Sequence, residues 1–367
     1  MYVLQVNKYY YPEVGGIESV VQTIAENLPS TYSSSVLAAK PRGLGGHETH
    51  NGVDVRKVSS FGVAQSVPLA PTFPIGLRRA AEKADIVHHH LPNPLSPVSQ
   101  LLAGRDDTTV IATYHSDIVR QSTGLKFYRP ILERFLDRVD RILVTSERLL
   151  EQSDILTPYS QKCDIVPLSV DIDAIDSEPT PKLRVDTTGP VVAFVGRLNY
   201  YKGVEYLIDA MSDVDATLLV AGDGKRRSAL ERRASERGVA DRVQFLGYVS
   251  EDALASVYRT ADVFVLPSVA SSEAFGIVQL EAMARGVPVV NTSLPTGVPW
   301  VSQHEETGFT VPPGDASALA EAITRLLEDE SRRLEYGAKA RERVEQIFTQ
   351  EQMIDNVQSI YKQYSDT

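Results

Sequence analysis

The sequence predicts an α/β protein of two doubly wound, Rossmann-like domains, each a parallel sheet flanked by helices. Three observations carry this. Short apolar runs alternate with longer amphipathic stretches along the chain, the pattern of parallel strands joined by crossover helices. The alternation occurs twice, broken by a stretch from Asp171 to Pro190 that is rich in Asp, Pro and Thr and poor in periodic apolar residues. A chain of 367 residues also exceeds what one hydrophobic core ordinarily serves.

In the first half the apolar runs place strands at Val3–Val6, Ser35–Ala38, Asp85–His88, Val110–Tyr114, Arg141–Thr145 and Asp164–Val166. Helical spacing falls at Gly16–Asn27, Arg78–Lys83, Pro97–Leu102, Tyr128–Val139 and Ser146–Gln152. The second half offers strands at Val191–Val195, Thr217–Ala221, Val243–Phe245, Val263–Leu266 and Val287–Asn291. Helices are expected between them at Gly203–Met211, Lys225–Glu236, Glu251–Thr260 and Phe275–Ala284, and the tail from Ser317 to Tyr364 is helical by spacing and charge alternation. The expected division is a first domain over 1–170, a linker over 171–190, a second domain over 191–346 and a closing segment over 347–367. In open parallel sheets ligands bind beyond the carboxyl ends of the strands. With two such sheets facing across a cleft, each candidate residue is tested by whether it follows a strand.

Composition narrows the function class. A net charge of −11 argues against wholesale nucleic-acid binding, and the hydrophobic fraction of 43% is that of a folded globular chain. The single cysteine, Cys163, cannot close an intramolecular disulfide, which suits a reducing cytoplasm. No run approaches the roughly 18 apolar residues of a membrane span, and the first residues read as a strand without the charged and apolar regions of a signal peptide. The expected location is therefore cytoplasmic. The mixed aromatic, aliphatic and basic stretch from Leu125 to Leu136 suits either a peripheral contact with the inner face of the cell membrane or a helix that packs Ile131, Leu132 and Phe135 into its own domain.

The most informative segment runs from Glu273 to Glu281. The preceding apolar run ends at Pro267, and the following helical pattern ends at Gly286. One carboxylate thus lies in a strand-to-helix loop and the other about two turns into the helix, with backbones on the order of 10 Å apart. That spacing is awkward for two groups sharing a proton or a metal. It suits two acceptors gripping hydroxyls at the ends of a long ligand, with a helix N-terminus facing an anion between them. A nucleotide-sugar has that form.

Other strand-end residues fit the same ligand. Arg197 leaves a strand and Lys202 opens a helix, an arrangement that could cradle a diphosphate or be a solvated charged loop. Gly15 and Gly16 follow the first strand without a G-x-G-x-x-G pattern, which argues against a dinucleotide site and leaves either close backbone approach to a ligand or a plain turn. Gly222, Gly247 and Val249 belong to further strand-end loops that could shape a base pocket. His115 stands just past an apolar strand. His88, His89 and His90 cannot easily converge on one metal, because successive strand residues face opposite sides. The D-x-D pairs at Asp171 and Asp213 read as solvated turns, and no metal site or cofactor is expected.

Taken together, the Gly15-Gly16 loop, Thr113-Tyr114-His115, Gly196-Arg197 with Lys202-Gly203, Gly222-Asp223-Gly224 and the E-x7-E segment resemble a retaining GT-B glycosyltransferase of the large family that includes bacterial mannosyl- and glucosyltransferases. The resemblance spans nearly the whole chain and implies metal-independent transfer by front-face attack. It implies that Arg197 and Lys202 hold the diphosphate, Glu273 binds sugar hydroxyls, amides of Phe275, Gly276, Ile277 and Val278 meet the distal phosphate, Glu281 binds ribose, and His115 reaches the transferred sugar. It further implies that the C-terminal helix returns to the first domain. Tyr200–Gly203 and Thr296–Val301 resemble polysaccharide and lipid-linked oligosaccharide mannosyltransferases, so GDP-mannose is the first choice of donor, a UDP-sugar the second, and a glycan or lipid-linked glycan the acceptor. A nucleotide-sugar epimerase, a phosphorylase or a non-catalytic nucleotide-sugar-binding subunit are the alternatives on such a fold.

Overall fold

The structure is a computed structural model and describes residues 1–13, 15–105, 107–118, 122–177 and 189–364. The chain divides into two compact units, Met1–Leu168 together with Glu351–Thr367, and Ser169–Gln350. Each is an α/β unit, and the whole has the GT-B architecture.

The first unit contains β1 (Tyr2–Val6), β2 (Ser33–Ala39), β3 (Gly46–His50), β4 (Val53–Val58), β5 (Val63–Ala64), β6 (Val67–Pro68), β7 (Ile86–Leu91), β8 (Thr109–Tyr114), β9 (Arg141–Val144) and β10 (Cys163–Ile165). Its main sheet has the order β10-β9-β8-β7-β1-β2-β4-β3, and only the β3–β4 pair is antiparallel. β1 and β7 are central strands of this sheet and are buried almost throughout, polar Gln5 and His88, His89 and His90 included. Val36, Ala38, Val53 and Val55 of β2 and β4 pack against Val21 and Ala25 of the helix Gly16–Asn27, and Leu4, Val6, Leu37 and Val87 of β1, β2 and β7 pack against Phe73, Leu77 and Ala81.

The second unit contains β11 (Val191–Val195), β12 (Thr217–Ala221), β13 (Val243–Gly247), β14 (Val263–Leu266), β15 (Val289–Thr292) and β16 (Gly308–Val311), in the order β13-β12-β11-β14-β15-β16 and parallel throughout. Successive strands step outward from β11 in one direction and then, from β14, in the other. The crevice between the ends of β11 and β14 is therefore the topological switch point at which such sheets bind ligands. Phe194, Leu207, Leu218, Leu230 and Ile323 are among the side chains that fill one side of this sheet.

Several expectations shift. The antiparallel edge β3–β4 went unread because β3 is almost wholly exposed and polar, leaving no apolar run to find. The helix expected at Arg78–Lys83 begins earlier, at Phe73, with Pro74 in its first turn, where the missing amide hydrogen costs nothing. Ile131 is partly exposed rather than packed with Leu132 and Phe135. Residues 171–177 of the expected linker belong to the second unit: Ile172–Asp176 is a short helix capped by Asp171, and Asp176 pairs with Arg341 at 2.8 Å. Residues 178–188 of that linker lie outside the described residues. The tail is three helices, Ala316–Glu328, Glu330–Ile347 and Gln350–Lys362. Among the described residues no helix is long and apolar enough to cross a membrane.

Candidate functional site

The switch point of the second unit gathers most of the residues singled out from the sequence. β11 ends at Gly196, whose φ of 151° carries the chain outward towards Arg197. Arg197 is exposed and makes no ion pair among the described residues. The chain then turns through Tyr200–Lys202 into Gly203, which has a left-handed φ of 63°. A Cβ at Gly203 would lie 2.0 Å from the carbonyl oxygen of Pro267, so the loops after β11 and β14 interlock only because that residue is glycine. The amide of Val269 donates to the carbonyl of Tyr201 at 2.8 Å and ties the same two loops.

This interlock brings Lys202 to Glu273. Lys202 Nζ lies 2.5 Å from Glu273 Oε2, both side chains are buried, and Ser268 Oγ donates to the same oxygen at 3.0 Å. The residue expected to hold the diphosphate and the residue expected to bind the sugar are thus ion-paired with each other. Two contacts converge on Oε2, so Oε1 is the oxygen through which Glu273 would meet a further hydroxyl.

From Glu273 the chain passes Phe275 and Gly276 (φ 75°) into the helix Ile277–Met283. Amides in the first turn of a helix lack intrahelical acceptors, so Ile277 and Val278 stand where such donors occur. The turn is held from beneath. Buried Gln279 donates to the carbonyl of Phe275 at 3.0 Å, and Asn291 on β15 donates to Gln279 Oε1 at 2.9 Å. Glu281 accepts a 2.6 Å hydrogen bond from the buried hydroxyl of Tyr258, which fixes one carboxylate oxygen. Beside these, the amide of Gly222 donates to the carbonyl of Gly247 at 2.7 Å. A Cβ at Gly222 would come within 2.1 Å of the Gly196 carbonyl oxygen. Gly222 and Gly247 thus lie side by side at the ends of β12 and β13, with half-buried Val249 just beyond.

In the first unit Gly15 caps the helix Gly16–Asn27, and neither Gly15 nor Gly16 has a positive φ. A Cβ on Gly16 would meet nothing within 4 Å, whereas one on Gly15 would come within 2.2 Å of Glu18 Oε2. His115 follows β8, is buried, and donates its backbone amide to the carbonyl of Leu91 at 2.9 Å. Burial pushes its imidazole down to about 3, which keeps it neutral near neutral pH. The triplet on β7 divides as strand geometry requires. His88 and His90 stack on one face with ring centroids 4.6 Å apart, and His89 turns to the other face, where it meets Gln100 at 3.0 Å.

Comparison with known proteins adds the family. Residues 177–343 match the family described as glycosyl transferases group 1, and residues 14–174 match glycosyltransferase family 4. The D-rhamnosyltransferase WbpZ of Pseudomonas aeruginosa is 34% identical over 360 residues, covering 95% of this chain and 92% of that one. The chain belongs to the glycosyltransferases. The O-antigen chain mannosyltransferase C of Escherichia coli is 31% identical over 368 residues, 98% of each chain. Among solved structures, Anabaena HepE in complex with UDP shares the fold, with a TM-score of 0.78, 20% identity, and coverage of 99% of this chain and all of that one. As a glycosyltransferase, the protein moves a sugar from a nucleotide-sugar donor to an acceptor.

Around these candidate residues, each unit also holds partners that sequence reasoning passed over. Ser268 follows Pro267 at the end of the apolar run before Glu273, but nothing in the sequence marks its hydroxyl as a partner of the glutamate. Tyr258 reaches Glu281 from the helix Glu251–Thr260, a contact invisible in one dimension. Gln5 and Tyr361 bond to the histidines of β7 from the first strand and the last helix of the chain.

Proposed function

We propose that this glycosyltransferase is a retaining, metal-independent hexosyltransferase that moves mannose from GDP-mannose to a glycan or lipid-linked acceptor. The observation that carries the reading is the buried Lys202–Glu273 pair at the switch point, flanked by exposed Arg197 and by the turn Phe275–Val278. Lys202 and Arg197 supply the positive charge that the departing diphosphate needs, the part that a divalent ion plays elsewhere. Glu273 orients sugar hydroxyls, amides from Phe275 to Val278 meet the distal phosphate, and Glu281, steadied by Tyr258, holds the ribose. Gly222, Gly247 and Val249 line the base, while Gly15 and Gly16 offer backbone amides. His115 accepts a hydrogen bond from a sugar hydroxyl.

In the proposed reaction the bond between the anomeric carbon and the phosphate oxygen breaks while the acceptor oxygen bonds to that carbon on the same face. The acceptor proton passes to the departing phosphate oxygen, so no side chain need serve as base. Mannose is favoured because the mannosyltransferase of Escherichia coli matches over nearly its full length, and a GDP-linked 6-deoxyhexose is the neighbouring choice. The HepE complex with UDP keeps a UDP-sugar as the second reading.

A thermal-shift series with GDP-mannose, UDP-glucose and ADP-glucose tests the donor, since a ligand stabilises the native state by RT ln(1 + [L]/Kd). GDP-mannose is expected to give the largest shift, and a larger shift with UDP-glucose would overturn the base assignment. The anomeric coupling in the NMR spectrum of the product tests stereochemistry. An inverted product would remove the front-face mechanism, and transfer that vanishes with EDTA and returns with magnesium would remove metal independence.

A further inference from the structure

Beneath His115 a line of buried polar groups crosses the first unit. His115 Nε2 lies 3.2 Å from His90 Nδ1, His90 Nε2 lies 2.9 Å from Gln5 Oε1, and Gln5 Nε2 lies 3.1 Å from Tyr361 Oη. Tyr361 Oη lies 2.6 Å from His88 Nδ1, and His88 Nε2 lies 2.7 Å from Thr113 Oγ1. The side chains come from β1, β7, β8, the residue just after β8 and the helix Gln350–Lys362, and all are buried.

Gln5 sets the direction of every bond, because its amide has one end that only accepts and one that only donates. Its carbonyl accepts from His90, so His90 carries its proton on Nε2 and offers a bare Nδ1. His115 must then donate through Nε2–H, which leaves its own Nδ1 bare. On the other side Gln5 donates to Tyr361, whose hydroxyl hydrogen goes to His88 Nδ1, and His88 Nε2–H donates to Thr113. Burial keeps the three rings neutral, so each has one proton to place.

The line ends on an unsatisfied atom. His115 Nδ1 is buried with no hydrogen-bond partner. Leaving such an acceptor buried and unpaired is destabilising, so an atom of this kind calls for an explanation. His89 Nδ1 is also unpaired, but that ring packs edge-on against Phe135 at 5.2 Å within the core. His115 instead stands just past the carboxyl end of β8, where ligands approach such sheets.

We propose that Gln5, His90 and Tyr361 are positioning residues that lock His115 as the Nε2–H tautomer, so that its bare Nδ1 accepts a hydrogen bond from a substrate hydroxyl. This rests on the glycosyltransferase reading of the site and specifies what it recognises. A lone pair at that position favours a sugar hydroxyl and disfavours a phosphate or carbonyl oxygen. The C-terminal helix acquires a defined task, because Tyr361 holds the donor end of the Gln5 amide.

The test reads tautomers directly by NMR, on protein whose histidines carry the NMR-active nitrogen isotope at both ring positions, with His115 assigned by the signals lost in His115→Gln. The expected result is a protonated Nε2 and a bare Nδ1 on both His115 and His90. A proton on His115 Nδ1 would overturn the proposal, since a reversed Gln5 amide turns every bond in the line around. Gln5→Met, which fills the space without either polar end, is expected to give His115 a mixture of tautomers and to lower kcat/KM by roughly five- to ten-fold. Tyr361→Phe is the second variant, with the same direction expected. If Gln5 is merely structural, the melting temperature of Gln5→Met falls while the His115 tautomer and kcat/KM stay as in the wild type, and the proposal fails. The ring signals need no turnover, so they decide the relay even if the chain transfers no sugar. Transfer together with a protonated His115 Nδ1 would sink the relay and leave the glycosyltransferase reading standing.

Discussion

Lys202 and Glu273 carry opposite charges into a buried site, and each depends on the other for compensation. Removing one partner leaves an uncompensated charge, which costs about 3 kcal/mol in comparable buried pairs, whereas removing both restores much of the loss. Lys202→Ala and Glu273→Ala should therefore each lower the urea midpoint, and the double variant should recover part of it. All three should lose transfer. Recovery of stability without recovery of activity, from the same protein samples, separates the pair's role in the fold from its role towards the donor. Full transfer in either single variant would remove that residue from the mechanism. Tyr258 poses a narrower question. Its hydroxyl restrains one oxygen of Glu281, so Tyr258→Phe should raise the donor KM several-fold and leave kcat nearly unchanged, the pattern of lost uniform binding. A fall in kcat at constant KM would place Tyr258 in the chemical step instead.

Strand ends and the loops that leave them explain which glycines matter. At Gly203 the left-handed φ of 63° and the Pro267 carbonyl 2.0 Å from a virtual Cβ leave no room for a side chain. Gly203→Ala should destabilise by several kcal/mol, because the obstacle is backbone and cannot step aside (roughly the upper tail for single substitutions). Gly16→Ala meets open space and should melt within about 0.5 kcal/mol of the wild type. A loss of transfer in that stable variant would point to ligand contact at the Gly16 backbone, and full activity would make the loop a plain turn. The same contrast shows what the chain made legible. Buried parallel strands such as Val191–Val195 and Val263–Leu266 announce themselves as apolar runs, and the E-x7-E spacing projects its two carboxylates correctly onto a loop and a helix. β3 could not be read, because an exposed edge strand has no apolar face to display. Ser268 and Tyr258 could not be read as partners of Glu273 and Glu281 either. Their roles follow from loop closure and helix packing, which leave no periodic trace.

Across the whole molecule the buried histidines make the two units respond differently to acid. His88, His89, His90 and His115 all lie in the first unit, and burial pushes His88 and His115 down to about 3, His89 to about 4, and His90 well below the usual range. In the unfolded chain these rings take up protons near pH 6.5. Between there and about pH 4 the unfolded state binds protons that the folded state refuses, so stability is complete above that range and falls as the pH drops through it. Each ring contributes about 1.4 kcal/mol for each pH unit in that window, which makes the slope steep if all of them remain neutral. The second unit holds only His304, which is exposed, and it also holds Trp300, the one tryptophan of the chain. Urea unfolding at pH 7.5 and pH 5.5, followed both by far-UV circular dichroism and by tryptophan fluorescence, should therefore give different answers. The circular dichroism midpoint should fall sharply in acid while the fluorescence midpoint moves little, as expected of units that unfold separately. Equal shifts in both signals would mean that protonation in the first unit unfolds the second with it. No shift in either would mean that the histidines of β7 accept protons in the folded state, and that the hydrogen-bonded line through Gln5 does not survive below neutral pH.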